Sequence, residues 1–131
     1  MRRPAARAGV NRSVAAAGAI MAGAAVGLGA FGAHALGGKL GPEALDWWRT
    51  GVQYQMWHAL ALAALGLGAF PRPALPAALL GGGALLFSAT LYAMALGAPR
   101  GLGAVTPLGG ALMIAGWAWL AFRLLRPERR P

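Results

Sequence analysis

Polar side chains within long uncharged stretches are the parts of this sequence that could bind a ligand or transfer a proton. Eight of them lie in or beside apolar runs: His34, Gln53, Tyr54, Gln55, His58, Ser88, Tyr92 and Thr106. In a hydrocarbon environment such side chains either hydrogen-bond to a neighbouring helix or mark a functional site. We therefore treat the eight residues as a candidate polar cluster or ligand site.

The two histidines are the candidate metal ligands. Zinc usually takes three or four protein ligands, and the sequence offers no third ligand near His34 and His58. A haem iron held between two histidines needs no further protein ligand, so haem or metal binding stays open as a third hypothesis. The main interpretation includes no metal and no cofactor.

Several classes of chemistry lack the residues that they need. The sequence contains no cysteine, which excludes disulfides, thiol redox chemistry and thiolate-held clusters. Its three acidic residues are Glu43, Asp46 and Glu128, and all lie outside the apolar runs. A proton-coupled transporter normally has a carboxylate near the membrane midplane. There is also no Ser–His–Asp arrangement and no phosphate-binding glycine loop, so we expect a protein that is not an enzyme.

The composition is that of a membrane protein. Hydrophobic residues make up 58% of the 131-residue chain and charged residues only 11%, whereas soluble domains carry roughly 25% charged residues. The net charge of +9 lies in the two tails and in short connections between apolar runs. Such a distribution is typical of membrane topology signals and lacks the basic patch that nucleic-acid binding requires. We predict an integral membrane protein with no nucleic-acid partner.

Four stretches are long enough to cross a bilayer as helices, because about 20 residues span a hydrocarbon core of about 30 Å. The predicted spans cover about 13–37, 42–69, 74–96 and 107–125. They form one membrane domain over 13–125, between basic tails at 1–12 and 126–131. The first run is longer than the apolar part of a signal peptide. Short connections favour antiparallel neighbours, so the predicted fold is all-α, an antiparallel four-helix bundle.

The basic residues predict the orientation of this bundle. Nine of the twelve would lie on the side of the termini, and only Lys39, Arg49 and Arg100 on the other side. The positive-inside rule therefore predicts that both termini are cytoplasmic, in a bacterial inner membrane. In that orientation the eight polar residues fall in the outer half of the bilayer.

Residue spacing predicts how these polar groups meet. Five residues of the second span recur at steps of three or four and share one face: Trp47, Gly51, Tyr54, His58 and Leu62. On the third span, Ser88 and Tyr92 are four residues apart. We expect the two faces to meet in a hydrogen-bonded cluster, which either holds the helices together or binds a ligand or lipid. Small residues such as Gly23 and Gly27 predict close helix approach and support oligomers.

Short motifs run through most of the membrane region. They include GAFGAHAL at 29–36, PEAL at 42–45, TGVQYQM at 50–56, HALAL at 58–62 and LFS at 86–88. Together they resemble the domain-of-unknown-function 423 family, the YgdD-like small inner-membrane proteins, which are related to a eukaryotic small transmembrane group. The resemblance covers about 28–120 and implies several membrane helices and no assigned activity. Trp57 departs from the family pattern, in which a smaller aromatic such as tyrosine is expected.

The leading functional hypothesis is a non-enzymatic inner-membrane scaffold or accessory protein that acts through its outer polar face. The alternative is a small-molecule or lipid carrier or a pore subunit, which needs a water-accessible route past Tyr54 and His58. The expected partners are the lipid bilayer and either further copies of the chain or another membrane protein.

Overall fold

The computed structural model describes residues 9–68 and 70–126, and these form four long helices. The helices are α1 (Arg12–Phe31), α2 (Pro42–Leu67), α3 (Ala74–Ala95) and α4 (Thr106–Leu125). A π-helical turn, Gly32–Leu36, follows α1, and a 3-10 turn, Arg100–Ala104, precedes α4. The described residues contain no strand, so the predicted all-α class is confirmed. Most of the two predicted basic tails lies outside the described residues.

Local sequence signals explain where the helices begin. The Asn11 side chain caps α1 by accepting a hydrogen bond from the backbone N–H of Val14 at 3.0 Å. Pro42 stands in the first turn of α2, where a proline costs no helical hydrogen bond. The connection between α2 and α3 contains Arg72 in a left-handed conformation, with φ of 53°.

Each helix packs antiparallel against the next one in the chain. The backbone N–H of Asn11 donates to the carbonyl of Gly66, which joins the start of α1 to the end of α2. Helix α2 packs against α3, and α3 against α4. Within the described residues α1 barely touches α3 and does not touch α4. The middle of the molecule is therefore formed by α2 and α3, while α1 and α4 flank them.

Glycines allow the helix backbones to approach closely. A Cβ at Gly18 would lie 2.5 Å from the backbone nitrogen of Ala63, and a Cβ at Gly83 would lie 2.8 Å from the carbonyl oxygen of Gly109. Such contacts replace side-chain packing between neighbouring membrane helices. Of the three consecutive glycines at 81–83, the first and third face neighbouring helices, and nothing in the described residues lies within 4 Å of a Cβ at Gly82.

Three helical segments are long and apolar enough to cross a membrane: Arg12–Leu36, Ala74–Ala95 and Arg100–Leu125. Helix α2 has 26 residues but is more polar, because it carries Gln53, Gln55 and His58. The structure buries Gln55 and His58 against other helices, so neither faces outward. A fourth crossing by α2 stays a prediction.

Candidate functional site: hydrogen bonds between the helices

Gln55 of α2 joins three helices through one side chain. Its Nε2 donates to the carbonyl oxygen of Met21 in α1 at 3.0 Å. Its Oε1 accepts a hydrogen bond from the hydroxyl of Tyr92 in α3 at 2.9 Å. Gln55 is only 4% exposed. Both ends of a buried amide are thus satisfied, which removes the cost of placing it inside the molecule.

Gly51 makes room for this contact. A Cβ at position 51 would lie 2.7 Å from the ring of Tyr92, so any side chain there would displace the tyrosine. The Gly51 carbonyl oxygen also accepts a hydrogen bond from Ser88 Oγ at 2.7 Å. The predicted faces of α2 and α3 therefore do meet, and Gly51 contacts both Ser88 and Tyr92.

Trp48 makes a further link, to α1. Its Nε1–H donates to the carbonyl oxygen of Leu28 at 2.8 Å, and its ring packs against Tyr92 with centroids 4.7 Å apart. A Cβ at Gly32 would lie 2.5 Å from the indole ring. Trp48 was not among the eight residues predicted from the sequence, and its buried role was missed. The available signal was an indole donor in an apolar region, which needs a partner when buried.

His58 is held between α2 and α4 as a neutral imidazole. The indole N–H of Trp117 can only donate, and it contacts Nε2 of His58 at 3.1 Å. Nε2 is therefore the acceptor, and Nδ1–H donates to the carbonyl oxygen of Tyr54 at 2.7 Å. Both ring nitrogens are used, so His58 has no lone pair available for a metal ion.

The second histidine lies elsewhere. His34 is exposed in the turn that follows α1, close to where Gly32 contacts Trp48. Trp48 and His58 are ten residues apart on α2, which separates them by about 15 Å along the helix. The structure therefore does not bring the two histidines to one iron or zinc ion. The described residues also contain no group of three or more potential metal ligands.

A hydroxyl pair connects α3 and α4. The Oγ1 atoms of Thr90 and Thr106 are 2.8 Å apart. Thr90 Oγ1 also donates to the carbonyl oxygen of Phe87 at 2.8 Å. The hydroxyl of Thr106 also lies 3.3 Å from the carbonyl oxygen of Leu102, so either threonine can be the donor between the two hydroxyls. Thr90 was not among the eight predicted residues, although it belongs to this contact.

The side chains of the remaining predicted residues lie outside these hydrogen bonds between helices. Gln53 is exposed on α2. The ring of Tyr54 packs on Phe87, with centroids 4.5 Å apart, and also on Trp57. Trp57 is 55% exposed and takes part in none of the hydrogen bonds between helices described above. The eight residues are thus distributed over separate contacts instead of surrounding one cavity.

These contacts satisfy the buried polar side chains of the described residues. In the described part of the chain, every buried side-chain nitrogen and oxygen has a hydrogen-bond partner. An arrangement of this kind can hold helices in register.

Exposed charged side chains contact each other at the end of the molecule where α2 begins. Arg100 donates to Glu43 at 2.7 Å, and its guanidinium lies 5.4 Å from the ring centroid of Trp47. The sequence did not predict this pair, because 57 residues separate its members. Asp46 and Arg49, three residues apart on α2, form an ion pair at 3.8 Å between exposed side chains, and such pairs contribute little to stability.

Comparison with known proteins identifies the family of this chain. The family model described as protein of unknown function (DUF423) matches residues 28–110. The chain belongs to the DUF423 family. The matched region of this DUF423 protein contains Trp48, Gln55, His58, Tyr92 and Thr106, and it ends before Trp117. The resemblance stated from the sequence motifs is therefore confirmed.

Named relatives of this DUF423 chain are membrane proteins. UPF0382 membrane protein YwdK of Bacillus subtilis is 45% identical over 105 residues, which cover 76% of this chain and 85% of the relative. UPF0382 inner membrane protein YgdD of Escherichia coli K12 is 38% identical over 109 residues, covering 80% and 83%. No solved structure matches the chain. The DUF423 protein is thus a membrane protein of an uncharacterised family.

Proposed function

We propose that this DUF423 protein is a non-enzymatic scaffold or accessory protein of the bacterial inner membrane. The observation that carries the proposal is that all buried polar side chains in the described residues are used in hydrogen bonds within the protein, most of them between helices. A carrier or pore needs polar groups that face water or a substrate, whereas these hold the helices together. A rigid helical unit of this kind acts through its outer surface.

All four helices cross the membrane in this proposal, with both termini in the cytoplasm. The distribution of basic residues supports the orientation. The burial of Gln55 and His58 supports a crossing by α2, because a helix may carry polar side chains through lipid when neighbouring helices satisfy them.

The crossing by α2 has a direct test in this cysteine-free chain. A single cysteine at Lys39→Cys or Arg72→Cys stands just before or just after α2. We expect a membrane-impermeant thiol reagent to label the first variant in spheroplasts and the second only after the membrane is permeabilised. Equal labelling of both variants in sealed spheroplasts would place the two ends of α2 on one side and overturn the four-span topology.

The scaffold function is tested at Ser88, which is 1% exposed and lies in the polar region. Ser88→Cys replaces a hydroxyl by a thiol of similar size. We expect no labelling of this variant by the impermeant reagent, while Lys39→Cys reacts under the same conditions. Rapid labelling of Ser88→Cys in the folded protein would reveal a water-filled route and favour a carrier or pore subunit.

The outward face of α1 is the proposed contact surface for a further copy or another membrane protein. A Cβ at Gly23 or Gly27 would meet nothing within 4 Å in the described part of the chain, so neither glycine packs against another described helix. Small residues four apart are a common contact motif between membrane helices. This surface supports assembly without any catalytic role.

A further inference from the structure

A groove separates the end of α1 from the first half of α2. Its cavity volume is about 220 Å³, and it opens toward the outside of the molecule. It is lined by residues of α1, of the π-helical turn that follows it and of α2, and by none of α3. The groove is therefore distinct from the hydrogen bonds that join α2 to α3.

One wall of the groove is apolar and narrow. Gly29, Gly32 and Ala33 line it on the α1 side, and Val52 lines it on α2. These small residues leave an open track along the helix. Trp48 lines the groove too, but its indole N–H is already bonded to the carbonyl of Leu28. This part of the groove suits a hydrocarbon chain, since no donor or acceptor side chain lines the track.

The other part of the groove is polar. Arg49 and Gln53 both line it, and they are four residues apart, so they share one side of α2. The Arg49 side chain is 70% exposed, and its contact with Asp46 is as long as 3.8 Å. Within the described residues neither the Arg49 guanidinium nor the Gln53 side-chain amide makes a hydrogen bond. A guanidinium presents several donors in a plane that matches phosphate oxygens.

We propose that this groove binds one anionic phospholipid, with its phosphate at Arg49 and Gln53 and part of an acyl chain along Gly29 and Ala33. The position fits such a ligand, because the polar end of α2 bears the charged residues Asp46 and Arg49 while the adjacent segment of α1 is apolar. An inorganic anion would leave the apolar track unused. The site does not depend on the proposed scaffold function, because neither Arg49 nor Gln53 takes part in the hydrogen bonds between helices.

Native mass spectrometry of the full chain from mild detergent tests the proposal with two lipids of equal chain length. We expect phosphatidylglycerol to be retained and phosphatidylcholine to be retained less. Arg49→Gln should lower phosphatidylglycerol retention by about threefold to tenfold, as loss of an exposed charge-assisted contact predicts. Lys39→Gln removes the same charge from the same end of the protein but outside the groove, and it should leave retention unchanged.

A second pair of variants tests the apolar track. Ala33→Phe fills the groove, whereas Ala30→Phe adds the same ring to an exposed position of α1 outside it. Only the first should lower lipid retention.

The proposal fails if Arg49→Gln and Lys39→Gln retain the lipid equally, or if both lipids bind equally well. It also fails if millimolar inorganic phosphate displaces the lipid, since the site would then bind a free anion. If Ala33→Phe does not fold, the comparison of Arg49→Gln with Lys39→Gln still tests the proposal.

Discussion

Helices α1 and α2 pack side by side, but they differ in the polarity and the burial of their side chains. Helix α2 carries the polar residues Gln55 and His58, and both are buried in hydrogen bonds to other helices. Helix α1 offers only backbone carbonyls to these bonds and is largely exposed along its length. The difference shows that α2 can carry polar side chains because neighbouring helices satisfy them, whereas α1 exposes a largely apolar surface.

The glycines of α1 sharpen the comparison, because some face α2 and others face outward. Gly18→Leu should cause the largest loss, since its Cβ would lie 2.5 and 2.6 Å from backbone atoms of Ala63 and Ala59. Overpacking against backbone costs about 3 kcal/mol or more. Gly23→Leu is the matched control, because nothing lies within 4 Å of its Cβ. Size-exclusion chromatography after stepwise heating should show early loss of the first variant only.

The next effect concerns neighbouring glutamines of α2. Gln55→Leu removes two hydrogen bonds and leaves the Tyr92 hydroxyl and the Met21 carbonyl without this partner. We expect a loss of about 1–3 kcal/mol in the free energy of unfolding, measured by tryptophan fluorescence in mixed detergent. Gln53→Leu, on the exposed side, should change it little. Equal destabilisation by both variants would contradict the distinction between buried and exposed positions.

A smaller effect is expected for the tryptophans of α4. Trp117→Phe keeps an aromatic ring and removes the donor to His58 Nε2, so unfolding should become easier by about 0.6–1.7 kcal/mol. Trp119→Phe makes the same chemical change at a ring that packs on Phe70 and makes no side-chain hydrogen bond within the described residues. The difference between the two variants reports the hydrogen bond, and a difference near zero would show that it does not stabilise α4.

The smallest effect on folding is expected on the open face of α1. Gly27→Leu should leave unfolding unchanged and reduce the amount of crosslinked dimer in membranes, because a large side chain blocks close helix approach. Gly82→Leu alters an equally open glycine on α3 and should leave crosslinking as it is. Unchanged crosslinking of the Gly27 variant would count against assembly through α1.

Helix bounds were predictable because prolines and charges interrupt the apolar runs. The predicted spans 74–96 and 107–125 differ by a residue or so from α3 and α4. The first predicted span ends near position 37, and the structure reaches Leu36 by changing from an α-helix to a π-helical turn. Such a change of helix type has no sequence signal here.

The polar contacts were predictable only in part. Ser88, Tyr92 and Gln55 stand out in apolar surroundings. The spacing of Ser88 and Tyr92 on α3 and of a face of α2 that includes Gly51 predicted the contact between these helices, but that face did not include Gln55. Several acceptors, however, are backbone carbonyls, such as those of Met21 and Leu28, and every residue has one. Trp117 was missed because tryptophan near the end of a span usually marks the membrane interface.

The most direct measurement is a double-mutant cycle between Gln55→Leu and Tyr92→Phe, followed by unfolding in mixed detergent. If their hydrogen bond holds α2 to α3, the two changes should be non-additive, with a coupling energy of about 0.6–1.7 kcal/mol. A coupling within about 0.3 kcal/mol of zero would contradict the view that the buried polar residues hold the helices together.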